Sequence, residues 1–214
     1  STYTGQFITV TGIPSSGKSD FVDQMVVGYN KRYNWKTAFA SPENVPTFLH
    51  AHKLMRKTWE GMPSKEDIGG EKWNKTADHC NANYFHIDME RYSLEAVLKK
   101  GAELVKRKGI KCLVIDPFNK VRDINAASDD VNRYTMDYLM KIEIFAKKYD
   151  VLVFVVAHPT KMYKNQKTGE IDEPTMYSIK GGGEWYDASY HGLLVHRDYE
   201  ANTVKVKVLK CKFQ

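Results

Sequence analysis

Cysteine is scarce in this chain: Cys80, Cys112 and Cys211 are odd in number and widely spaced. That excludes a disulfide framework and a CxxC-type zinc site, and it points to a reducing, intracellular compartment. Asp78, His79, Cys80 and His86 lie close together, but their spacing fits no familiar metal-ligand pattern. Long apolar runs are missing too. The longest, Val151–Ala157, falls far short of the ~20 residues a membrane span needs, which excludes a membrane reading. The opening Ser-Thr-Tyr-Thr-Gly-Gln has neither the basic nor the apolar region of a signal peptide, which excludes a secreted one. Internal repeats and dividing linkers are also lacking.

What is present fits one globular domain. Hydrophobic residues make up 42% of the 214 and charged residues 27%, a composition far from the disordered class. A chain of this length buries about 70% of its unfolded surface. Lys and Arg number 32 against 26 Asp and Glu, a net charge of +6, which permits a polyanionic partner without requiring one.

Five short apolar runs read as buried strands: Phe7–Thr11, Thr37–Ser41, Tyr84–Ile87, Cys112–Ile115 and Val151–Ala157. A helix capped by Ser93 carries Leu94, Val97, Leu98, Leu104 and Val105 on one face and stops at Gly109. Another begins near Ser128 and Asp129 and places Val131, Tyr134, Tyr138, Ile142, Phe145 and Tyr149 at helical spacing. Such alternation predicts a mostly parallel sheet covered on both faces. His191–Arg197 and Thr203–Cys211, joined by Asp198–Asn202, predict a C-terminal antiparallel hairpin, with Val204, Val206 and Val208 alternating with lysines as on a half-buried strand. The polar, glycine-bearing stretches 60–83 and 158–183 read as loops.

The sharpest feature is Gly12-Ile13-Pro14-Ser15-Ser16-Gly17-Lys18-Ser19, with Asp20 next in the chain. It fits G-x-x-x-x-G-K-[ST] between a predicted strand and a predicted helix, the context the motif requires. Its glycines let the backbone wrap a polyphosphate so that amides and the helix N-terminus face it. Lys18 supplies a point charge to the outer phosphates, and the Ser19 hydroxyl is a ligand for Mg²⁺. A nucleoside triphosphate is the expected ligand. The second Mg²⁺ anchor is Asp116, ending the apolar run Cys112–Ile115 where ligands bind in such sheets.

The residues just after Asp116 exclude several branches of phosphate-loop proteins. Pro117 stands where many ATPases carry a glutamate, no D-x-x-G of a GTPase is present, and Asn119-Lys120 lacks the Asp that completes a guanine-reading motif. A hydrolase still needs a carboxylate to orient water. Glu43, in Ala40-Ser-Pro-Glu43-Asn, takes that role if its strand lies beside the phosphate-loop strand; otherwise it is a surface acid in a turn. His158 comes directly after the strand Val151–Ala157, so its imidazole reaches the same sheet edge.

The order of these segments carries a family likeness. The phosphate loop, Ser-Pro-Glu43, Leu-Val-Ile-Asp116, Val-Val-Ala-His158-Pro, a glycine-rich loop, Leu-Leu-Val-His-Arg197 and Val-Leu-Lys-Cys-Lys together resemble the RecA-like motor domain of the DnaB-family replicative helicases, in the manner of the phage primase-helicase and Twinkle-like members. The likeness runs from about Thr4 to the last residue. It implies a RecA-like P-loop fold over 1–214, ATP with Mg²⁺ as ligands, Glu43 as catalytic base, Asp116 as magnesium acid and His158 as the sensor of the γ phosphate. It further implies that Lys161, Lys164, Lys180, Gly181 and Gly182 grip the phosphates of single-stranded DNA on channel-lining loops, without base specificity. Arg197 matches the arginine finger that a neighbouring subunit supplies. Lys210 and Lys212 match a trans-acting Lys-x-Arg pair, with lysine in place of arginine.

The implied protein is a longer one, with an N-terminal primase or collar domain, a hexameric ring, 5′ to 3′ translocation and a primase or loader as partner. It would work in the cytoplasm of a bacterial or phage-infected cell. Three other readings stand beside it: a RecA- or KaiC-like ATPase that assembles without unwinding, a small-molecule kinase with 158–183 as lid, and a nucleotide-gated scaffold. The absence of arginine from 158–183 counts against the kinase, and Glu43 against the scaffold.

Overall fold

The computed structural model describes residues 2–59, 63–122, 131–160, 173–199 and 201–212. One seven-stranded sheet organises them, in the order β3-β2-β4-β5-β1-β6-β7. The strands are β1 (Phe7–Thr11), β2 (Lys36–Ala40), β3 (Tyr84–His86), β4 (Ile110–Ile115), β5 (Leu152–Val156), β6 (His191–Asp198) and β7 (Thr203–Cys211). All adjacent pairs run parallel except β6 and β7, which form the expected hairpin.

Burial of both faces explains why the central strands are apolar throughout. Ile8, Val10, Phe39, Val114, Leu152 and Phe154 pack beneath α1 (Lys18–Tyr33), α2 (Thr47–Thr58) and α3 (Glu71–Asn83). Phe7, Ala38, Leu113, Ile115, Val153 and Val155 face α4 (Leu94–Lys108), α5 (Val131–Tyr149) and α6 (Gly182–Ala188). The α4 helix begins and ends as its sequence directs: the Ser93 hydroxyl accepts the Ala96 amide at 3.1 Å, and Gly109 stops it at φ 70°.

Three expectations need correction. Residues 60–83 are not a loop throughout, because Glu71–Asn83 is helical. Its apolar stripe is thin, Trp73, Ala77 and Cys80, yet the spacing is helical and all three pack on the core. The stretch 158–183 likewise contains a short 3₁₀ turn, Met176–Ser178, and the start of α6. On β7, an edge strand, the valines are not half-buried: Val204, Val206 and Val208 are exposed. The expected start of the fifth helix at Ser128 and Asp129 lies outside the described residues.

Leu113 is fully buried between the sheet and α4. Leu113→Ala removes those contacts and leaves a cavity, so unfolding in urea should show a loss of about 2–5 kcal/mol.

Candidate nucleotide-binding site

The loop Gly12–Gly17 joins β1 to α1 at the C-terminal edge of the sheet, with Ser15 at φ 62° and Gly17 at φ 93°. Gly12 is required by space as well as conformation. At φ 150°, a Cβ there would stand 2.2 Å from the Val195 carbonyl of β6. The loop therefore lies flat on the neighbouring strand, which leaves its other side open for a ligand.

Lys18 is folded inward, its Nζ donating to the Gly12 and Ile13 carbonyls at 2.8 Å each. Burial lowers its ammonium to about 8, against the opposing pull of the Asp116 and Glu43 carboxylates. Asp116 directly succeeds β4; burial pushes its carboxyl up, and Asp23 and Glu43 add to the rise. The Ser19 hydroxyl donates to Asp116 and, with Lys18, works in the other direction. A hydroxyl and a carboxylate side by side are hard oxygen donors, so Ser19 and Asp116 fit Mg²⁺ by donor type. Among the described residues no group of three or more His, Cys, Asp and Glu side chains could hold a metal ion.

Glu43 reaches this cluster by an unexpected route. Its strand does not lie beside β1, since β4 and β5 intervene. The segment 41–46 after β2 nonetheless brings its carboxylate within electrostatic range of Lys18, Asp116 and His158. His158, two residues past β5, is half-buried with its Nδ1 buried and without a partner among the described residues. Burial and the Lys18 charge hold the imidazole below its ordinary value, which favours the neutral ring, while Glu43 opposes them. Ser16 Oγ is another buried polar atom with no partner among the described residues. Asp20 faces away, its carboxylate pairing with Lys57 of α2 at 2.9 Å, so only its backbone serves the loop.

The remaining candidates divide by place. Arg197 lies on β6, parallel to and beside β1, and its guanidinium stands 5.3 Å over the Tyr199 ring. The Tyr199 hydroxyl donates to the Ser15 carbonyl at 3.4 Å, so Arg197 sits near the loop of its own chain. Lys210 and Lys212 lie at the opposite end of the sheet. Lys210 donates to the Tyr186 and Asp187 carbonyls, and Lys212 stands 4.4 Å over the Tyr190 ring. Lys180 is exposed at the turn into α6, where an added Cβ on Gly181 or Gly182 would meet Thr135 Oγ1 or the Tyr177 carbonyl at 2.4 Å. Packing alone therefore accounts for both glycines. Lys161 and Lys164 lie outside the described residues. Sequence reasoning missed Tyr199, Asp23 and His50, and weighed His86 only for a metal, because nothing local marks residues that meet only in the folded chain.

A glycine-rich loop, an inward lysine and a Ser–Asp pair at the edge of this sheet define a RecA-like P-loop domain. Comparison with known proteins narrows the class. The chain is 31% identical over 214 residues to the chloroplastic/mitochondrial Twinkle homolog protein of Arabidopsis thaliana, covering 92% of this chain and 29% of that protein. It is 23% identical over 221 residues to the DNA helicase/primase of Enterobacteria phage T3, covering 98% of this chain and 39% of that one. The chain thus spans well under half the length of these relatives. Among solved structures, an ATPase domain matches 98% of this chain and 78% of that one, with a TM-score of 0.74 and 16% identity. A DnaB-like replicative helicase, studied for its interactions with primase, matches 98% and 53%, with a TM-score of 0.76 and 15% identity. No family model matches the sequence. Together these likenesses support a DnaB-family, RecA-like helicase domain.

The lowered Lys18 ammonium sets a pH dependence for nucleotide affinity. Phosphates bind the charged form, so affinity is level below about 8 and weakens as pH rises through it. Titration of ATP between about pH 7 and 9.5 should show this decline. Lys18→Arg, which stays charged, should flatten it.

Proposed function

We propose that this domain is the ATP-driven motor of a replicative DNA helicase, which hydrolyses Mg²⁺-ATP at subunit interfaces to translocate on single-stranded DNA and unwind duplex. The observation that carries this reading is the convergence of Glu43, Lys18, Asp116 and His158 on one sheet edge. A binding-only scaffold has no need of a further carboxylate there.

In this reading the Gly12–Ser19 backbone and Lys18 hold the triphosphate, and Ser19 and Asp116 hold the metal. Mg²⁺ when bound neutralises developing charge on the phosphates. Glu43, exposed and unencumbered by a hydrogen-bonded partner among the described contacts, orients and deprotonates the attacking water. His158, within electrostatic range of Lys18 and Glu43, carries a buried Nδ1 without a partner among the described residues. The next residue, Pro159, bridges Ile179, and the Thr160 amide donates to the Ser178 carbonyl at 2.7 Å. A shift of His158 is thereby handed to the turn that carries Lys180. That is the physical basis for coupling nucleotide state to DNA contacts at Lys180, with Lys161 and Lys164 as further candidates.

Oligomer formation is supported by the uncovered apolar surface at the β7 edge, where Val206 and Val208 adjoin Phe21 and Met25. A hexameric ring in the full-length protein buries such a surface. Of the three cations considered for a neighbour's site, Lys212 is best placed. It lies over the Tyr190 ring at the end of the sheet remote from its own loop, whereas Lys210 is engaged by two carbonyls and Arg197 lies beside its own phosphate loop. A primase or loader is the further partner proposed, and no helix among the described residues is long and apolar enough to cross a membrane. The compartment proposed is the cytoplasm of a bacterial or phage-infected cell, after the phage relative, against the chloroplastic/mitochondrial name of the relative of higher identity.

ATP turnover per subunit, measured over a protein concentration series with and without single-stranded DNA, tests the whole reading. Rates should rise with concentration and again with DNA; an assembled ring indifferent to DNA overturns it. Glu43→Gln should lower turnover by about 10²–10⁴-fold with ATP binding kept. Mixing Lys18→Ala with Lys212→Ala chains should restore turnover that neither has alone, because each interface needs one residue from each neighbour.

A further inference from the structure

Beneath the site lies a chain of buried polar groups that the reaction does not directly use. Asp23, on the first helix after the phosphate loop, is buried, as is His50 on α2. His50 Nε2 lies 2.9 Å from Asp23 Oδ1, and His50 Nδ1 lies 2.9 Å from His86 Nε2 at the end of β3. One ring therefore ties three elements together. Phe39 of β2 wedges against both histidines, edge-on to His50 at 4.8 Å and stacked on His86 at 5.7 Å.

The donor roles along this chain depend on the His50 tautomer. Ionised Asp23 has only lone pairs to offer, so His50 donates from Nε2. With a neutral His50 ring, Nδ1 is then an acceptor and His86 donates to it from Nε2. Burial supports a neutral His86, whose imidazole is lowered to about 4. Asp23 Oδ2 is buried without a partner among the described residues, so the His50 bond is what compensates the carboxylate.

The position of His50 in the chain gives this arrangement its consequence. α2 starts at Thr47, directly after the 41–46 segment that carries Glu43. The α1 helix starts at Lys18 and Ser19. The Asp23–His50 bond is thus the buried fastening between the helix that holds the phosphates and the helix that anchors the base. The one further ion pair that joins α1 to α2 among the described residues is Asp20–Lys57, whose carboxylate is exposed to solvent screening.

We propose that His50 is a positioning residue for ATP hydrolysis: by gripping Asp23 and His86 it fixes α2, and through α2 the 41–46 segment, so that Glu43 stands against the phosphate loop. This rests on Glu43 being the base. A displacement of about 1 Å in such a group costs up to 10²-fold in rate, so the fastening matters to turnover more than to binding.

The test compares the whole chain with its His50→Phe, Asp23→Asn and Glu43→Gln variants by two independent readouts. Phenylalanine keeps the ring contact with Phe39 and removes both hydrogen bonds. Asparagine is isosteric and weakens the bond from the other end, which guards against a His50→Phe chain that does not fold. In ATP hydrolysis, kcat should fall about 10–100-fold in His50→Phe, with KM within about twofold of the parent. His50→Gln, whose amide can still donate to Asp23, should recover part of the loss. Adding His50→Phe to Glu43→Gln should cause no further loss, because His50 acts through Glu43. In hydrogen exchange, amides of residues 41–46 should exchange about tenfold faster in His50→Phe and Asp23→Asn, with the phosphate loop unaffected and Glu43→Gln unchanged.

An unchanged kcat in folded His50→Phe or Asp23→Asn, an additive double variant, or unaltered exchange over 41–46 overturns the proposal. If Glu43→Gln turns over normally, the base assignment falls and this role for His50 falls with it. If Glu43→Gln loses turnover while His50→Phe does not, the base stands and only the positioning role is lost.

Discussion

The site is organised by a problem of charge burial. Lys18 and Asp116 are both withdrawn from water at one sheet edge, and neither is fully compensated by the other. A buried charge without sufficient partners is costly, so the surrounding chain is arranged to supply them. The loop offers Lys18 two carbonyls, Ser19 donates to Asp116, and Glu43 adds a second carboxylate to the field felt by Lys18. A triphosphate with its metal would give each group a counter-charge, the phosphates for Lys18 and the cation for Asp116. In that sense the affinity for nucleotide and the uncompensated charge of the isolated site have one origin.

The sheet order determines which chemistry reaches that edge. β5 separates β4 from β1, and β4 separates β2 from β5, so Asp116 and Glu43 approach from progressively farther strands. Each strand's C-terminal end still opens onto the same edge because the strands run parallel. The side chain that arrives from farthest away, Glu43, depends most on how its segment is anchored. On the other side of β1, β6 contributes the Val195 carbonyl on which the phosphate loop lies, and its continuation brings Tyr199 to Ser15. The loop is therefore held from both flanks, by sheet packing on one and by helix–helix fastening on the other.

Much of this architecture was legible in the residues. The phosphate loop could be read because its glycines and lysine are contiguous, and the helix Leu94–Lys108 because its cap, stripe and stop are all local. The α3 helix escaped notice because only Trp73, Ala77 and Cys80 mark its buried face, and a polar sequence rich in loop-forming neighbours masks so thin a stripe. The valines of β7 misled for the opposite reason. Alternation reports that one face is apolar, but whether that face is covered depends on what lies beyond the edge of the sheet.

The amino-acid sequence by itself determined the strands, the phosphate loop, the acid at the end of β4 and the order of motifs that marks the family, because each is encoded within a few consecutive residues. Only the tertiary structure decided that Glu43 reaches the site across two intervening strands, that Arg197 lies beside its own loop while Lys212 lies at the opposite end of the sheet, and that Asp23, His50 and His86 form one hydrogen-bonded chain. These are relations between residues far apart along the chain. Strand order and helix packing place them, and no local pattern of residue types encodes the distance between two segments that meet only after folding.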